Sequence, residues 1–72
     1  MRLREENVAR IDSLRFYNEE TRSEETVLCV RRPCLTGGRL VFWTLDGAWR
    51  SVAPEDIREI NGNPAEEFLS PY

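Results

Sequence analysis

Leu40-Val41-Phe42-Trp43-Thr44-Leu45 and Ala48-Trp49-Arg50-Ser51-Val52 stand on either side of Asp46-Gly47. Two strand-forming runs joined by Asp-Gly mark a β-hairpin, because a type I′ turn needs positive φ at both central positions. A two-residue turn sets the register. It places Leu45 opposite Ala48, Thr44 opposite Trp49, Trp43 opposite Arg50, Phe42 opposite Ser51 and Val41 opposite Val52. Side chains alternate along each strand. One face therefore carries Val41, Trp43, Leu45, Ala48, Arg50 and Val52, and the other Leu40, Phe42, Thr44, Trp49, Ser51 and Ala53. A small barrel of four or five strands has room inside for one such set. The first set is the more continuous apolar one and is expected inside, with Arg50 at the rim over Trp43 as a cation–π pair. Leu40, Phe42 and Trp49 are then expected outside, one tryptophan on each face.

Three large apolar groups in one place exceed ordinary surface scatter. Three covers are open. The chain's own end, with Phe68, Leu69 and Tyr72, folds back over the patch; a second copy covers it in a homo-oligomer; or a different protein uses it, with aromatic anchors of the kind that dominate interfaces.

Outward from the hairpin, Thr26-Val27-Leu28-Cys29-Val30 reads as a strand ended by Pro33, and Thr36-Gly37-Gly38 as a turn. Val8, Ile11, Leu14 and Tyr17 recur every three residues, which suits a helix. Leu14-Arg15-Phe16-Tyr17 is rich in strand formers, and the polar stretch Asn18 to Glu25 has hairpin-loop length, which favours a strand. After the hairpin, Ala53-Pro54-Glu55-Asp56 reads as one 3₁₀ or helical turn and Ile57-Arg58-Glu59-Ile60 as a closing strand stopped by Asn61-Gly62-Asn63-Pro64. The expected fold is mostly β, a small antiparallel barrel of four or five strands with one 3₁₀ or helical turn and flexible ends. Residues 1–8 form a charged tail, 9–61 the barrel and 62–72 a C-terminal tail, with one possible helical turn from Ala65 to Leu69.

Seventy-two residues make one domain at most, with a small core. All ten cations are arginines, and Lys, His and Gln are absent. The net charge of −3 and a pI near 4.9 argue against a dedicated nucleic-acid binder, whose affinity needs clustered positive charge. Arg31 and Arg32 beside Pro33, with Arg39 across the turn and Arg50 in the hairpin, form the one candidate anion or nucleic-acid contact. Stacked with Trp49 or Phe42 they suit a nucleotide or single strand. Ordinary solvated strand-end charge balanced by the glutamates also accounts for them, and the acidic balance favours that reading.

Without histidine the usual general base and the commonest metal ligand are missing, and two cysteines do not close a tetrahedral zinc site in one chain. Thr36-Gly37-Gly38-Arg39 lacks the ending of a phosphate loop. The glutamate pairs lie in polar surroundings with nothing to raise a carboxyl pKa. Neither metal nor cofactor is expected, and the chain reads as non-catalytic. Cys29 and Cys34 would lie ~17 Å apart on an extended segment, beyond disulfide reach; a sharp turn at Arg32-Pro33 would restore the pairing, and the favoured reading is Cys29 as a buried strand residue and Cys34 as a loop thiol. The N-terminus has no apolar signal region and no run approaches a membrane span, which points to the cytoplasm.

From Leu14 to Ile60 the order of elements resembles the Sm-like (SH3-like) small barrel of WYL domains. Leu14-Arg15-Phe16-Tyr17, Arg32-Pro33, Gly37-Gly38-Arg39, Trp49-Arg50 and Asp56-Ile57-Arg58-Glu59-Ile60 carry the likeness. Leu40-Val41-Phe42 stands near the place of the Trp-Tyr-Leu triplet that names the family, and the 72 residues hold no helix-turn-helix. The resemblance implies a ligand- or nucleic-acid-sensing regulatory module with Arg50 as the residue to carry over. The residues themselves favour a binding module, an adaptor or regulator that meets a protein partner or itself through Leu40, Phe42 and Trp49.

Overall fold

The computed structural model describes residues 2–70. In chain order it contains β1 (Arg2–Leu3), the single helical turn α1 (Glu5–Val8), β2 (Ser13–Asn18), β3 (Ser23–Leu28), β4 (Cys34–Thr36), β5 (Arg39–Trp43) and β6 (Trp49–Val52). A 3₁₀ turn (Pro54–Asp56), β7 (Ile57–Ile60), β8 (Asn63–Pro64), a second 3₁₀ turn (Ala65–Glu67) and β9 (Leu69–Ser70) complete it. The strands order as β3-β2-β7-β8 in one sheet and β4-β5-β6 in a second, with β1-β9 as a short extra pair. All pairings are antiparallel. Beyond β3 the chain leaves the first sheet and joins the second. Cys29 bridges Thr44, and the Val30 amide donates to the Trp43 carbonyl.

The core lies between the sheets. Leu14, Phe16, Ile57 and Ile60 come from the first, and Leu40, Phe42 and Val52 from the second. The Phe16 and Phe42 rings meet edge to face at 5.7 Å, a geometry that adds ~0.5–1.5 kcal/mol beyond the area buried.

The hairpin register departs from the expected one by a single residue. Trp43 pairs with Trp49, Phe42 with Arg50, Val41 with Ser51 and Leu40 with Val52. The loop holds three residues, Leu45-Asp46-Gly47, and closes on Thr44 and Ala48: the Thr44 amide donates to the Ala48 carbonyl, and the Gly47 amide to the Thr44 carbonyl. Of the loop residues only Gly47 has positive φ, at 84°. This is a type I turn followed by a left-handed residue. The Asp46 carboxylate fixes it, accepting from the Thr44 hydroxyl and the Ala48 amide through one oxygen, Oδ1. A shift of one residue turns one strand over relative to its neighbour. Leu40 and Phe42, expected outside, are fully buried at 0% exposure. Val41 and Trp43 face outward with Trp49. The two tryptophans share a face instead of occupying opposite ones.

The sequence does hold a two-residue type I′ turn, at Asn61-Gly62. Both residues have positive φ, at 55° and 82°, and Ile60 pairs with Asn63 across them. The three-residue spacing of Val8, Ile11 and Leu14 is no helix stripe. The residues are buried from the end of α1, a loop and β2 respectively.

Nor are the described parts of the ends loose tails. Leu3, Val8 and Ala65 belong to the core, Leu3 pairs with Leu69, and the Asn7 side-chain amide donates to the Phe68 carbonyl. Tyr72 lies outside the described residues. No helix among the described residues is long and apolar enough to cross a membrane.

The same turn yields a pH prediction. The hydroxyl of Thr44, and after it the amide of Ala48, hold the Asp46 carboxyl below its ordinary value of 3.8. A folded pKa depressed in this way adds stability above the unfolded value and loses it as pH falls through the folded one. Asp46→Asn keeps an oxygen acceptor but does not titrate. The melting temperature of the wild type should exceed that of the variant by a constant margin above about pH 5, and the margin should shrink below about pH 4. Thermal melts of both proteins from acid to neutral pH check it.

Candidate interaction face

The two sheets present very different outward faces. On the first, Arg15 of β2 donates to Glu24 of β3 and to Glu59 of β7, each at 2.7 Å, and Arg58 approaches Glu24 at 3.7 Å. These groups are around two-fifths exposed, so the pairs contribute little stability. Their effect is to keep this face charged and wet. The pairing with Glu24 and the proximity of Glu59 also raise the Arg15 pKa above its ordinary value.

On the second sheet the outward residues are Val41 and Trp43 from β5 and Trp49 and Ser51 from β6. Because Thr44 and Ala48 share a hydrogen bond, alternation makes Trp43–Trp49 a pair without one, the type whose side chains sit closest. The crossing segment adds to this face. Cys29 opposes Thr44, so Val30 falls beside Trp43 and Leu28 beside Leu45, both turned outward by the strand's alternation. Trp49 is 64% exposed, Leu45 70%, Leu28 52% and Val30 49%. No charged side chain interrupts the stripe from Val30 through Trp43 to Trp49. The described part of the C-terminal end packs instead on the core through Ala65, Phe68 and Leu69, and leaves Trp49 uncovered.

Of the residues expected at a partner contact, only Trp49 is on the surface. Val30, Val41, Trp43, Leu45 and Leu28 take the places assigned to Leu40 and Phe42. Two sequence signals pointed to them. Leu-Asp-Gly suits a three-residue hairpin loop with glycine in the left-handed position as well as Asp-Gly suits a two-residue one. Leu28 and Val30 also alternate with Val27 and Cys29, both of which pack on the core.

The four arginines do not assemble into one cluster. Arg50 lies opposite Phe42 and turns inward, its guanidinium 5.3 Å from the Phe16 ring and not over Trp43. Its Nη2 meets Glu25 at 2.7 Å, both side chains about a third exposed. This ion pair joins β3 to β6 across the open mouth between the sheets. Arg39 donates to the hydroxyl and the carbonyl of Ser51. Arg31 and Arg32 stand exposed at the bend before Pro33, and neither forms an ion pair among the described residues.

A polar groove of about 580 Å³ runs between the β2–β3 loop and the free edge of β6, with Tyr17, Glu20, Arg39, Trp49 and Glu55 among its walls. A smaller hollow of about 320 Å³ includes Arg32 and Cys34. Arg39 and Arg50 thus line the first concavity, Arg32 the second and Arg31 neither. Cys29 and Cys34 are both free thiols. Burial, and secondarily Asp12, push the Cys29 pKa upward, which disfavours the thiolate. No group of three or more carboxylates and cysteines with metal-site geometry occurs among the described residues.

Comparison with protein-family models, with curated proteins and with solved structures found no match for this chain.

Proposed function

We propose that the protein is a non-catalytic binding module, an adaptor or regulator, that meets a protein partner through the Val30/Trp43/Leu45/Trp49 face. The observation that carries this reading is the contrast between the sheets. One outward face is laced with ion pairs, while the other leaves two indoles and four aliphatic side chains in one uncharged stripe. Such a stripe exposes on the order of 500 Å² of apolar surface, at the upper end of what a soluble monomer shows. Water contact on that area is unfavourable by ~25 cal/mol per Å². A partner that removes it gains accordingly, and tryptophan is among the residues that anchor interfaces best.

The strand order supports a small SH3-like or Sm-like barrel as the scaffold. β7, β2 and β3 pair in turn, the β3 extension meets β5, β5 meets β6, and a 3₁₀ turn returns the chain to β7. The same order agrees with the resemblance to WYL domains. Arg50, the residue that likeness would carry over to a ligand, is here engaged with Glu25 and Phe16.

A photo-crosslinking amino acid at position 49 tests the reading in the full chain. It should yield covalent protein adducts, whereas the same group at Thr26, on the outward face of β3, should yield none. Equal yields from both positions, or none from either, would refute the proposal. Nucleic-acid binding through Arg31, Arg32, Arg39 and Arg50 predicts a different result. A labelled single-stranded oligonucleotide would then bind with an affinity that drops steeply as salt rises. The face-binding reading expects no measurable binding of that probe at any salt concentration.

A further inference from the structure

We propose that the free edge of β6 and the groove beside it take up a short extended peptide segment of a partner protein, one bearing lysine or arginine at alternate positions. The site is separate from the apolar face of the second sheet, and the inference does not rest on the reading of that face.

An exposed strand edge is a template for another chain unless something blunts it. The other sheet edges are blunted. β8 has two residues, one of them Pro64; β3 carries Glu24 and Glu25; and β4, three residues long, follows Pro33. β6 has no proline and no acid, and its one charged residue, Arg50, turns inward to Glu25 and Phe16. Because Thr44 and Ala48 form a hydrogen-bonded pair, Trp43–Trp49 and Val41–Ser51 are pairs without bonds. The main-chain groups of Trp49 and Ser51 therefore point away from β5. The Ser51 carbonyl accepts from Arg39. The Ser51 N–H and both main-chain groups of Trp49 have no partner among the described residues.

There is room for a chain at this edge. Trp49 and Ser51 both line the polar groove of about 580 Å³, a volume ordinary for a ligand site. β6 is four residues long. That length matches ~13 Å of extended chain, so the edge suits a segment of about four or five residues.

Charge decides which chain. Apart from the β6 edge, the groove is walled by Glu19 and Glu20 of the β2–β3 loop and by Glu55 and Asp56 of the first 3₁₀ turn. None of these four carboxylates pairs with a cation among the described residues. Against them stands Arg39, since Arg50 is already neutralised by Glu25. The groove is net negative, so a backbone held by β6 is bound more tightly when its side chains are cationic. Alternate side chains of an extended segment share a face. Cations two residues apart therefore reach the same wall.

Fluorescence anisotropy of the full chain with a short labelled peptide of alternating lysine and valine tests the proposal. The peptide should bind with a dissociation constant below ~1 mM, and its glutamate–valine counterpart should not bind. Equal binding of the two, or of neither, would overturn the proposal. Methylated backbone amides separate edge pairing from charge attraction. Alternate amides of a bound strand face β6 and the other set faces away. Methylating the lysine amides and methylating the valine amides should therefore differ, one abolishing binding and the other sparing it. Equal effects would overturn pairing with β6. Glu19→Gln together with Glu20→Gln should weaken binding about five-fold at low salt and less at high salt. Glu66→Gln with Glu67→Gln, on the second 3₁₀ turn and outside the groove, should leave it unchanged. Equal losses in the two pairs would mean attraction by net charge alone and would overturn the site. Ser51→Pro removes the open N–H without touching the ladder to β5. It should abolish binding with an unchanged far-ultraviolet spectrum, and the methylated peptides decide the matter should it unfold. A wild type that is dimeric by sedimentation equilibrium and monomeric as Ser51→Pro would mean that a second copy fills the edge, and would overturn the peptide as its occupant.

Discussion

Phe42→Ala should abolish or nearly abolish folding at 37 °C, whereas Trp49→Ala should leave the monomer's stability almost unchanged. Phe42 has no exposed surface and touches Phe16 edge to face. Truncating a buried phenylalanine costs ~3–5 kcal/mol, because transfer and cavity terms add. A chain of this length holds only ~4–11 kcal/mol in all. Trp49 is 64% exposed, and surface substitutions of that kind cost within ~0.5 kcal/mol. Urea unfolding followed by circular dichroism separates the two, provided the protein is dilute enough that association adds nothing. A mild Phe42→Ala together with a Trp49→Ala loss above ~3 kcal/mol would mean that the hairpin is turned the other way.

That contrast also marks where the sequence stops being readable. The two hairpin strands, β2, the Pro54 turn and the Ile57–Ile60 strand follow from local residue chemistry and lie within a residue or two of their expected places, whereas β3 begins at Ser23, three residues earlier than expected and inside the stretch read as a loop. Which side of the hairpin is buried does not follow. β5 is apolar at every position from Leu40 to Trp43, so alternation alone cannot tell its faces apart. The decision then falls to the loop, where Asp-Gly serves two- and three-residue turns alike. The longer loop is held by Asp46, which accepts from the Thr44 hydroxyl and the Ala48 amide, bonds that spacing does not reveal. The ends were opaque for another reason. Leu3, Val8 and Ala65 stand in polar or charged stretches, too few to show any period, yet each belongs to the core.

The arginine set fared differently from the apolar face because charge pairing depends on three-dimensional neighbours. Arg50 and Glu25 are 25 residues apart in the chain and belong to strands of different sheets. Their pairing over Phe16 turns a candidate ligand contact into a clasp between the two sheets.

Asn61→Ala should cost about 2–4 kcal/mol, the largest loss expected at any residue outside the apolar core. Asn61 Oδ1 accepts from the amides of Asp12 and Ser13 at 2.8 and 3.0 Å, and Nδ2 donates to the carbonyl of Arg10. One side chain thereby satisfies three backbone groups of the loop that leads into β2. Each such bond is worth ~0.5–1.5 kcal/mol net. The backbone of Asn61 also sits at φ 55°, a region that costs alanine ~1–2 kcal/mol and asparagine less. Two further variants apportion the loss. Asn61→Gly accepts the positive φ and removes only the side-chain bonds, so it should fall between the wild type and Asn61→Ala. Asn61→Asp keeps both acceptor bonds but sets a carboxylate against the Arg10 carbonyl. It should therefore lose ~1–2 kcal/mol, and that loss should decline once acid protonates the new group. Chemical denaturation of the three variants at neutral and acid pH gives the ranking. If Asn61→Ala and Asn61→Gly proved equal, the backbone term would be absent, and the type I′ turn would owe its stability to the side-chain bonds alone.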